Sequence, residues 1–447
     1  MSIASGLSIA NSGLAAIEAQ LAVVSQNVAN ANTAGYSAES VSLTATSAQG
    51  LGTGVTANPA IRQVSTSIQA QLNASVADQS FQQTTSAALT GIDQVMGTPG
   101  QGNDLSSLLG NLQSGFTTLL SDPGNTVQQA AVVGTAQDLS NQINTIAGAL
   151  GSAVTTAQGN VVAGVKSLNA SLTQVGTLNN QIISLAQQGK STADLQNQRD
   201  ALVQTVAGLT GGKSIAQPTG AIALYTPSGL QLPTSGTPKL TVSGSGAVML
   251  GTQNVTSSVT TGSIGANLQL ASSTLPNLQS GLDNVASTVA NSFAAAGLTL
   301  FTTPSGTTPT SATGFASQIT VNPNVTTNPA LIRDGTPATA NTTGDAGFTG
   351  LIGTILSTTL NGGTGTLATM TTGFTAQEAS VSSAAQTAST AANSLTTALT
   401  TQASTTSGVS VDQQMGLLVT LQNAYAANAK VVSIAQQMWQ TQESMIS

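Results

Sequence analysis

Both ends of the sequence carry a long apolar stripe in heptad spacing, and this feature constrains the fold most. The N-terminal stripe consists of Ile3, Leu7, Ala10, Leu14, Ile17, Leu21, Val24 and Val28. The C-terminal stripe consists of Leu417, Leu421, Ala424, Asn428, Val431, Ala435, Met438, Gln442 and Met445, and it is flanked by Leu418, Tyr425, Val432 and Trp439. This periodicity is typical of helices that pair with other helices. We therefore expect the two ends to pair, and the flanking row to face neighbouring subunits.

The composition argues against most kinds of catalysis. The chain has 447 residues but no Cys and no His, so disulfides, thiol nucleophiles, the usual zinc sites and the commonest general base are missing. Its 8 Lys and Arg residues are too few to form a face that binds nucleic acid. We expect a protein that is not an enzyme, with no catalytic, cofactor-binding or metal-binding residues.

The N-terminal segment also bears on targeting. It lacks a basic region followed by a continuous apolar run, so it does not look like a cleaved signal peptide. No uninterrupted apolar stretch of membrane-spanning length is present, and we expect no membrane insertion. If the protein leaves the cytoplasm, it therefore uses a route without a cleaved signal.

The string "NVANANTAGY" follows the first stripe and contains asparagines, a glycine and a tyrosine in close succession. Asn side chains satisfy free backbone groups at turns, and Gly35 permits a positive φ angle. An ordinary helix exit explains one Asn and one Gly, but explains the whole string less well. We expect this segment to end the first helix and to turn the chain sharply, with Tyr36 as an apolar anchor.

The middle of the chain alternates between helical and strand-like composition. The sequence is too long for one ordinary core, so we expect a multidomain protein that is mainly α, with coiled-coil-like terminal helices, a helical-bundle domain and inserted strand-rich outer domains. The predicted regions are 1–60 (N-terminal axial helix and turn), 61–210 (helical domain), 211–265 (strand-rich), 266–298 (helix returning to the helical domain), 299–370 (strand-rich), 371–406 (helical return) and 407–447 (C-terminal axial helix).

Asp194, Arg199 and Asp200 form a charge cluster in a chain in which only 5% of residues are charged. An enzyme would use such residues as acid, base and electrostatic stabiliser, but no His or Cys supports that interpretation. A clamp that joins helices or domains is the favoured interpretation.

The two ends resemble those of bacterial flagellar axial proteins, a group that includes rod, hook and hook-associated proteins. In these proteins an amphipathic helix leads into an Asn-x-x-Asn-x-x-Thr-x-Gly-Tyr motif, whose positions are occupied here by Asn27, Asn30, Thr33, Gly35 and Tyr36. The C-terminal segment "SGVSVDQQMGLLVTLQNAYAANAKVV" is similar to the matching end segment of the same group. The resemblance implies an assembly interface formed by these five residues together with Leu7, Leu14, Leu21, Leu417, Leu421, Tyr425, Val432 and Trp439.

The middle resembles the flagellar hook-associated protein 1 family, which joins hook to filament. "DLQNQRDALV" matches its Asp-Leu-x-x-Gln-Arg-Asp-x-Leu pattern, and "GSIGANLQLASSTLPNLQSGLD" resembles a second family segment. The resemblance implies a structural, secreted and extracellular protein of the flagellum that forms an adaptor ring needed for filament assembly. The implied partners are further copies of the chain, the hook protein, a second junction protein toward the filament and an export chaperone.

Two alternatives remain open from the sequence. A hook or rod protein shares the terminal motifs, although such proteins are mostly β between their ends and lack the Gln-Arg-Asp helix. A more distant alternative is an extracellular adhesin with a β body rich in Ser, Thr and Gly. The long heptad stripes at the termini argue against an adhesin.

Overall fold

The computed structural model describes residues 3–33, 35–48, 51–98, 100–336, 351, 353–360 and 367–446. The chain forms two compact units: unit 1 contains residues 1–80, 164–263 and 392–447, and unit 2 contains residues 81–163 and 264–391. The longer helices are α1 (Ile3–Ala29), α2 (Thr66–Met96), α3 (Leu105–Ser121), α4 (Thr126–Gln187), α5 (Ala193–Thr210), α6 (Gly262–Gln269), α7 (Leu275–Ala295), α10 (Leu367–Ser407) and α11 (Val411–Ile446). The short helices α8 (Pro323–Thr327) and α9 (Leu331–Asp334) lie between α7 and α10. The fold is mainly α with small inserted β-sheets, as the sequence predicts.

Unit 1 contains most of the strands, all paired antiparallel. β1 (Glu39–Ser40) pairs with β4 (Ile61–Arg62), and β2 (Leu43–Ala48) forms a hairpin with β3 (Leu51–Ala57). The predicted strand-rich region 211–265 contains two three-stranded sheets. Their strands are β5 (Lys213–Ala216), β6 (Ile222–Tyr225), β7 (Gln231–Leu232), β8 (Leu240–Val242), β9 (Val248–Leu250) and β10 (Gln253–Asn254).

The hairpin packs against α1, and one hydroxyl fixes this contact. Ser12 Oγ accepts a hydrogen bond from the Val55 backbone N–H at 3.1 Å and donates to the Ile9 carbonyl at 2.8 Å. Gly54 has a φ of +144° and lies so close to Ser12 that a Cβ atom there would overlap its hydroxyl. The sequence analysis predicted only a helix and a turn in residues 1–60, so the hairpin was missed.

Unit 2 has one continuous apolar core built from helices. Leu89, Leu112, Phe116, Leu139 and Phe293 are all fully buried within it. The Phe116 and Phe293 ring centroids lie 5.8 Å apart. Close packing of this kind holds together the helices of unit 2.

Side-chain caps define several helix ends. Asp104 caps α3 by accepting hydrogen bonds from the backbone N–H groups of Ser106 and Ser107 at 3.1 and 3.0 Å. Asn125 caps α4 in the same way. α5 ends at Gly211, which adopts a φ of +71°. These are the residue types that the physical chemistry of helix termini favours.

A π-helical segment, Leu270–Thr274, connects α6 to α7. Pro276 follows within the first turn of α7. Because proline has no backbone N–H and its ring crowds the carbonyl four residues earlier, a widened turn just before it relieves that clash. The chain therefore continues from α6 into α7 without a loop.

Within the predicted helical domain, residues 126–187 form one continuous helix, α4. Its glycines, among them Gly148, Gly151 and Gly159, do not interrupt it, because the surrounding Ala, Val and Leu residues are good helix formers or pack into the core. The helical return predicted at 371–406 begins earlier in the structure, because α10 starts at Leu367.

Only a small part of the predicted strand-rich region 299–370 forms strands. Its described part contains one strand pair, β11 (Phe301–Thr302) with β12 (Thr320–Val321), followed by the short helices α8 and α9. Asn322 caps α8 and Pro323 occupies its first turn, which favours a helical turn over a strand. Residues 337–350, 352 and 361–366 of this region lie outside the described residues.

Among the described residues, α1 is the one helix that is long and apolar enough by composition to cross a membrane. The sequence analysis found no uninterrupted apolar run of that length, because polar residues are interspersed along α1. In unit 1, α1 packs against α11 and the β2–β3 hairpin, so one face of the helix already has protein partners.

Candidate assembly interface and polar clamp

The two terminal helices pack against each other along part of the predicted stripes. Ile17, Val24 and Leu421 form a small buried cluster, and Leu21, Leu418 and Ala424 pack against it. Gly13 faces the side chain of Asn428, whose Nδ2 would lie 3.2 Å from a Cβ atom at that position. A side chain at Gly13 would therefore require Asn428 to shift by a few tenths of an ångström.

The other predicted interface residues lie on two sides of this helix pair. Leu7, Leu14, Leu21 and Val432 are half-buried, while Leu417, Tyr425 and Trp439 are exposed. Trp439 is 56% exposed and Met438 is 53% exposed, which is unusual for such large apolar side chains. We use the name exposed row for the large apolar residues that are exposed along the length of α11, which lie at several angles around the helix axis: Val411, Met415, Leu417, Val419, Tyr425, Val431, Ile434, Met438, Trp439 and Met445.

The Asn-rich segment forms the turn at the end of α1, and Asn27 is at its centre. Asn27 is buried; its Nδ2 donates to the Glu39 carbonyl at 2.9 Å and to Gln414 Oε1 at 3.2 Å. Its Oδ1 accepts from the Glu39 backbone N–H at 2.9 Å and from Tyr36 Oη at 3.0 Å. One amide therefore connects the end of α1, strand β1 and the start of α11.

The remaining motif residues shape the turn itself. Asn30 Nδ2 donates to the Gln26 carbonyl at 3.1 Å, and Thr33 Oγ1 donates to Asn30 Oδ1 at 3.3 Å. Gly35 adopts a φ of +78°, a conformation that strongly favours glycine. Each of these residues thus satisfies or redirects backbone at the helix exit.

Burial and two nearby carboxylates perturb the titration of this turn. Burial raises the pKa of Tyr36 well above its ordinary value, and the charges of Glu39 and Asp194 raise it further. Burial also raises the pKa of Glu39, as does the charge of Asp194, whereas Arg62 and the Asn197 hydrogen bond oppose the shift. The Tyr36 hydroxyl is therefore held in its neutral form and remains a hydrogen-bond donor to Asn27.

A polar clamp holds β1 and β4 against α5 in unit 1. Arg62 Nη1 forms an ion pair with Asp200 Oδ2 at 2.6 Å, and it also donates to Asn197 Oδ1 at 3.2 Å. Arg62 Nε donates to Gln196 Oε1 at 3.1 Å. Asn197 Nδ2 in turn donates to Glu39 Oε1 at 3.1 Å. The clamp therefore includes Glu39, whose backbone is hydrogen-bonded to Asn27.

The three residues predicted to form a clamp do not converge. Asp200 belongs to the Arg62 clamp, but the neighbouring Arg199 points away from it because successive helical residues are about 100° apart. Arg199 is buried, and its Nη1 donates to Asn179 Oδ1 at 3.1 Å and to the Gly220 carbonyl at 2.8 Å. Asp194 is exposed in the first turn of α5. The predicted cluster is thus corrected to Arg62, Gln196, Asn197 and Asp200, of which only Asp200 was identified from the sequence.

Burial lowers the pKa of Arg199 from its ordinary value, and Arg62 adds to this effect while Asp200 opposes it. The Arg199 Nε atom is buried without a hydrogen-bond partner. Within the described residues, no three His, Cys, Asp or Glu side chains lie close enough together to hold a metal ion. The arrangement around α5 joins segments of the chain that are distant in sequence.

Comparison with known proteins matches three segments of the chain to flagellar families. Residues 89–305 match the helical domain of the flagellar hook-associated protein FlgK. Residues 7–36 match the flagella basal body rod protein family, and residues 400–445 match the C-terminal family of the basal body rod FlgEFG proteins. The predicted relation to the flagellar hook-associated protein 1 family is confirmed.

Curated relatives carry the same family name. The flagellar hook-associated protein 1 of Salmonella typhimurium is 31% identical over 233 residues, which cover 50% of this chain and 41% of the relative. The protein of that name from Bacillus subtilis is 26% identical, with 49% of this chain and 47% of the relative covered. The chain thus spans less than half the length of these curated relatives.

A solved structure of the flagellar hook junction protein FlgK from Burkholderia pseudomallei is also similar. It is 21% identical, with a TM-score of 0.46, and the match covers 54% of this chain and 45% of that chain.

Proposed function

We propose that this chain, which carries the FlgK helical domain between termini of the flagellar axial type, is a structural subunit that joins hook to filament in the bacterial flagellum. In this role it forms an adaptor ring and is needed for filament assembly. It acts as a structural adaptor: it binds the hook on one side and the filament side on the other, and it catalyses no reaction.

The observation that carries this proposal is the exposed row of α11. The contact with α1 buries one side of α11, whereas Leu417, Tyr425, Met438 and Trp439 remain exposed. Burying a large apolar side chain is worth roughly 1.5–3 kcal/mol, so a row of this length strongly favours association. Neighbouring subunits cover this row in the assembled ring.

The partners follow from the position of a junction. Further copies of the chain surround it in the ring, the hook protein lies on one side and a second junction protein lies toward the filament. Before assembly, an export chaperone covers the exposed row and prevents premature association. The protein is exported and functions outside the cell.

A hook or rod protein is the second candidate, because both termini match rod-protein families. The FlgK helical domain in residues 89–305 favours the junction over that alternative. An extracellular adhesin remains a more distant alternative.

Immunogold electron microscopy of isolated flagella tests the proposal. An epitope tag is inserted at the exposed Gly244–Ser245 turn between β8 and β9, away from the terminal helices. We expect gold particles at the distal end of the hook, where the filament begins. Labelling along the whole hook or in the rod would support the second candidate, and labelling of the cell surface would support an adhesin.

A further inference from the structure

Two acidic side chains face each other between α2 and α10 in unit 2. Glu378 is only 3% exposed, and it lies one helical turn before Ser382, on the face of α10 that meets Asp93 of α2. The Ser382 hydroxyl, one turn further along α10, donates a hydrogen bond to Asp93 Oδ2. Glu378 Oε1 is buried without a hydrogen-bond partner. Glu378 thus has little access to water, whereas Asp93 beside it is half-buried.

The surroundings of the pair are apolar. The neighbouring turns of the two helices contribute Leu89, Ile92, Met96 and Phe374 to the buried core of unit 2. A second polar contact between the same helices, from Ser86 Oγ to Gln386 Oε1 at 2.6 Å, involves no charge. Two ionised carboxylates in this position would therefore repel each other in a medium that screens charge poorly.

The described residues of α2 and α10 contribute no basic side chain that could neutralise the pair. The charged residues of α2 and α10 are Asp78, Asp93 and Glu378, all acidic. Arg333 is the only Lys or Arg in the sequence of unit 2, and it forms an ion pair with its neighbour Asp334 at 2.7 Å.

The acidic residues on other elements of unit 2 add only negative charge or are engaged elsewhere. Asp138 on α4 is exposed. Asp283 on α7 accepts hydrogen bonds from the backbone N–H groups of Gly314 and Ala316 at 2.7 and 3.0 Å. Asp104 caps α3, and Asp122 follows the end of that helix. The carboxyl pair is therefore neutralised by something other than a protein cation.

We propose that Asp93 and Glu378 form a proton-binding site, in which one proton shared by the two carboxyl groups locks α10 against α2. The Glu378 carboxyl group donates this proton to the Asp93 carboxylate, which also accepts from Ser382. Loss of the proton leaves two adjacent carboxylates without a counter-ion and opens the contact between the helices. The inference does not depend on the flagellar role.

The expected titration has a definite sign. Burial raises the pKa of Glu378 from 4.5 to about 8, and the hydrogen bond and charge of Asp93 act in the same direction. Between these values the folded protein binds more protons than the unfolded chain, so its stability falls as pH rises. The stabilising contribution is complete below the unfolded pKa and is lost as pH rises through about 8.

The experiment compares the full-length chain with the Glu378→Gln variant and with Asp138→Asn as a matched control. Glutamine can donate the same hydrogen bond to Asp93 but does not titrate. Amide hydrogen exchange of residues 374–386, corrected for the intrinsic rate, is measured at pH 6 and pH 9. We expect protection in the wild type and in the control to fall about tenfold or more between these pH values, and protection in Glu378→Gln to stay constant.

Infrared spectroscopy gives a second measurement, which does not depend on whether the contact between α2 and α10 opens. A protonated carboxyl group has a distinct C=O stretching band, which we expect in the wild type at pH 7 and not in Glu378→Gln. Burial also raises the pKa of Glu39. A Glu39→Gln variant therefore shows how much of the carboxyl band comes from Glu39. If Glu378→Gln does not fold, a band that persists in Glu39→Gln at pH 7 and disappears above pH 9 still supports the proposal.

Several results would overturn the proposal. Protection that is independent of pH in the wild type, or a carboxyl band at pH 7 that persists when Glu378→Gln is combined with Glu39→Gln, would show that Glu378 is not the proton donor. If no carboxyl band is present at pH 7 and Ca²⁺ raises protection in the wild type but not in Glu378→Gln, a bound cation rather than a proton neutralises the pair.

Discussion

The side-chain amide of Asn27 pairs with the backbone of Glu39 through two hydrogen bonds, each 2.9 Å long. The amide offers one donor and one acceptor, as a neighbouring β-strand would, so β1 is held at the end of α1. The same side chain also contacts Tyr36 and Gln414. The exit of the first helix, the first strand and the last helix are therefore positioned by one residue.

We expect Asn27→Ala to destabilise unit 1 strongly. It leaves the buried N–H and carbonyl of Glu39 without partners, at a cost of roughly 1–3 kcal/mol for each group. Urea unfolding and hydrogen exchange at the Glu39 amide measure the loss. Asn30→Ala is the matched control and should cost less, because Asn30 is only half-buried and contacts local backbone. Equal losses for the two variants would contradict this account of the turn.

The Arg62–Asp200 ion pair should contribute measurably to stability, because both side chains are largely shielded, with 12% and 22% exposure. Asp200→Asn removes the charge partner of Arg62, and we expect a loss of roughly 1.5–3 kcal/mol in the free energy of unfolding. Asp194→Asn, on the exposed side of the same helix, should change it by less than about 0.5 kcal/mol. A double-mutant cycle with Arg62→Met gives the coupling energy, and a coupling near zero would refute the clamp.

Two glycines on α4 should respond oppositely to the same substitution. A Cβ atom at Gly176 would overlap the Thr234 carbonyl, so Gly176→Ala should destabilise by roughly 1–3 kcal/mol. Gly159 has open space around its Cβ position, and Gly159→Ala should stabilise by about 0.4–1 kcal/mol through helix propensity. Thermal unfolding of both variants checks the prediction, which fails if both shift the midpoint in the same direction.

The exposed row of α11 should matter for assembly and not for folding. The double variant Met438→Ser and Trp439→Ser removes two side chains that are more than half exposed, so we expect an unchanged circular dichroism spectrum. In cells that express only this variant, we expect few filaments and flagellin in the medium. Gln440→Ala, an exposed polar neighbour, is the control. Normal filaments with the double variant would show that the row is not an interface.

The helices at the two ends could be predicted because heptad spacing is a local property of the sequence. The Asn-rich turn could also be predicted, since Asn and Gly have few other roles at a helix exit. The Asn27 contacts with Glu39 and Gln414 could not, because a side chain's partner depends on how distant segments pack.

The prediction that Asp194, Arg199 and Asp200 form one clamp was wrong for the same reason, because side-chain partners depend on how distant segments pack. Arg62 lies far from Asp200 in the sequence, and nothing local distinguishes it from any other surface arginine. Asp194, Arg199 and Asp200 are close in sequence but face different directions on the helix. The β2–β3 hairpin was missed because its Thr, Ser and Gly residues show no apolar alternation, and its position is fixed by Ser12 of α1.

The most direct measurement of the central claim is electron microscopy of cells that lack this chain, combined with an assay of flagellin in the medium. A subunit that joins hook to filament predicts complete hooks without filaments and flagellin released into the medium, and both defects should be restored by the full-length chain. Missing hooks would place the protein in the rod or hook, and normal filaments would contradict a role in the flagellum.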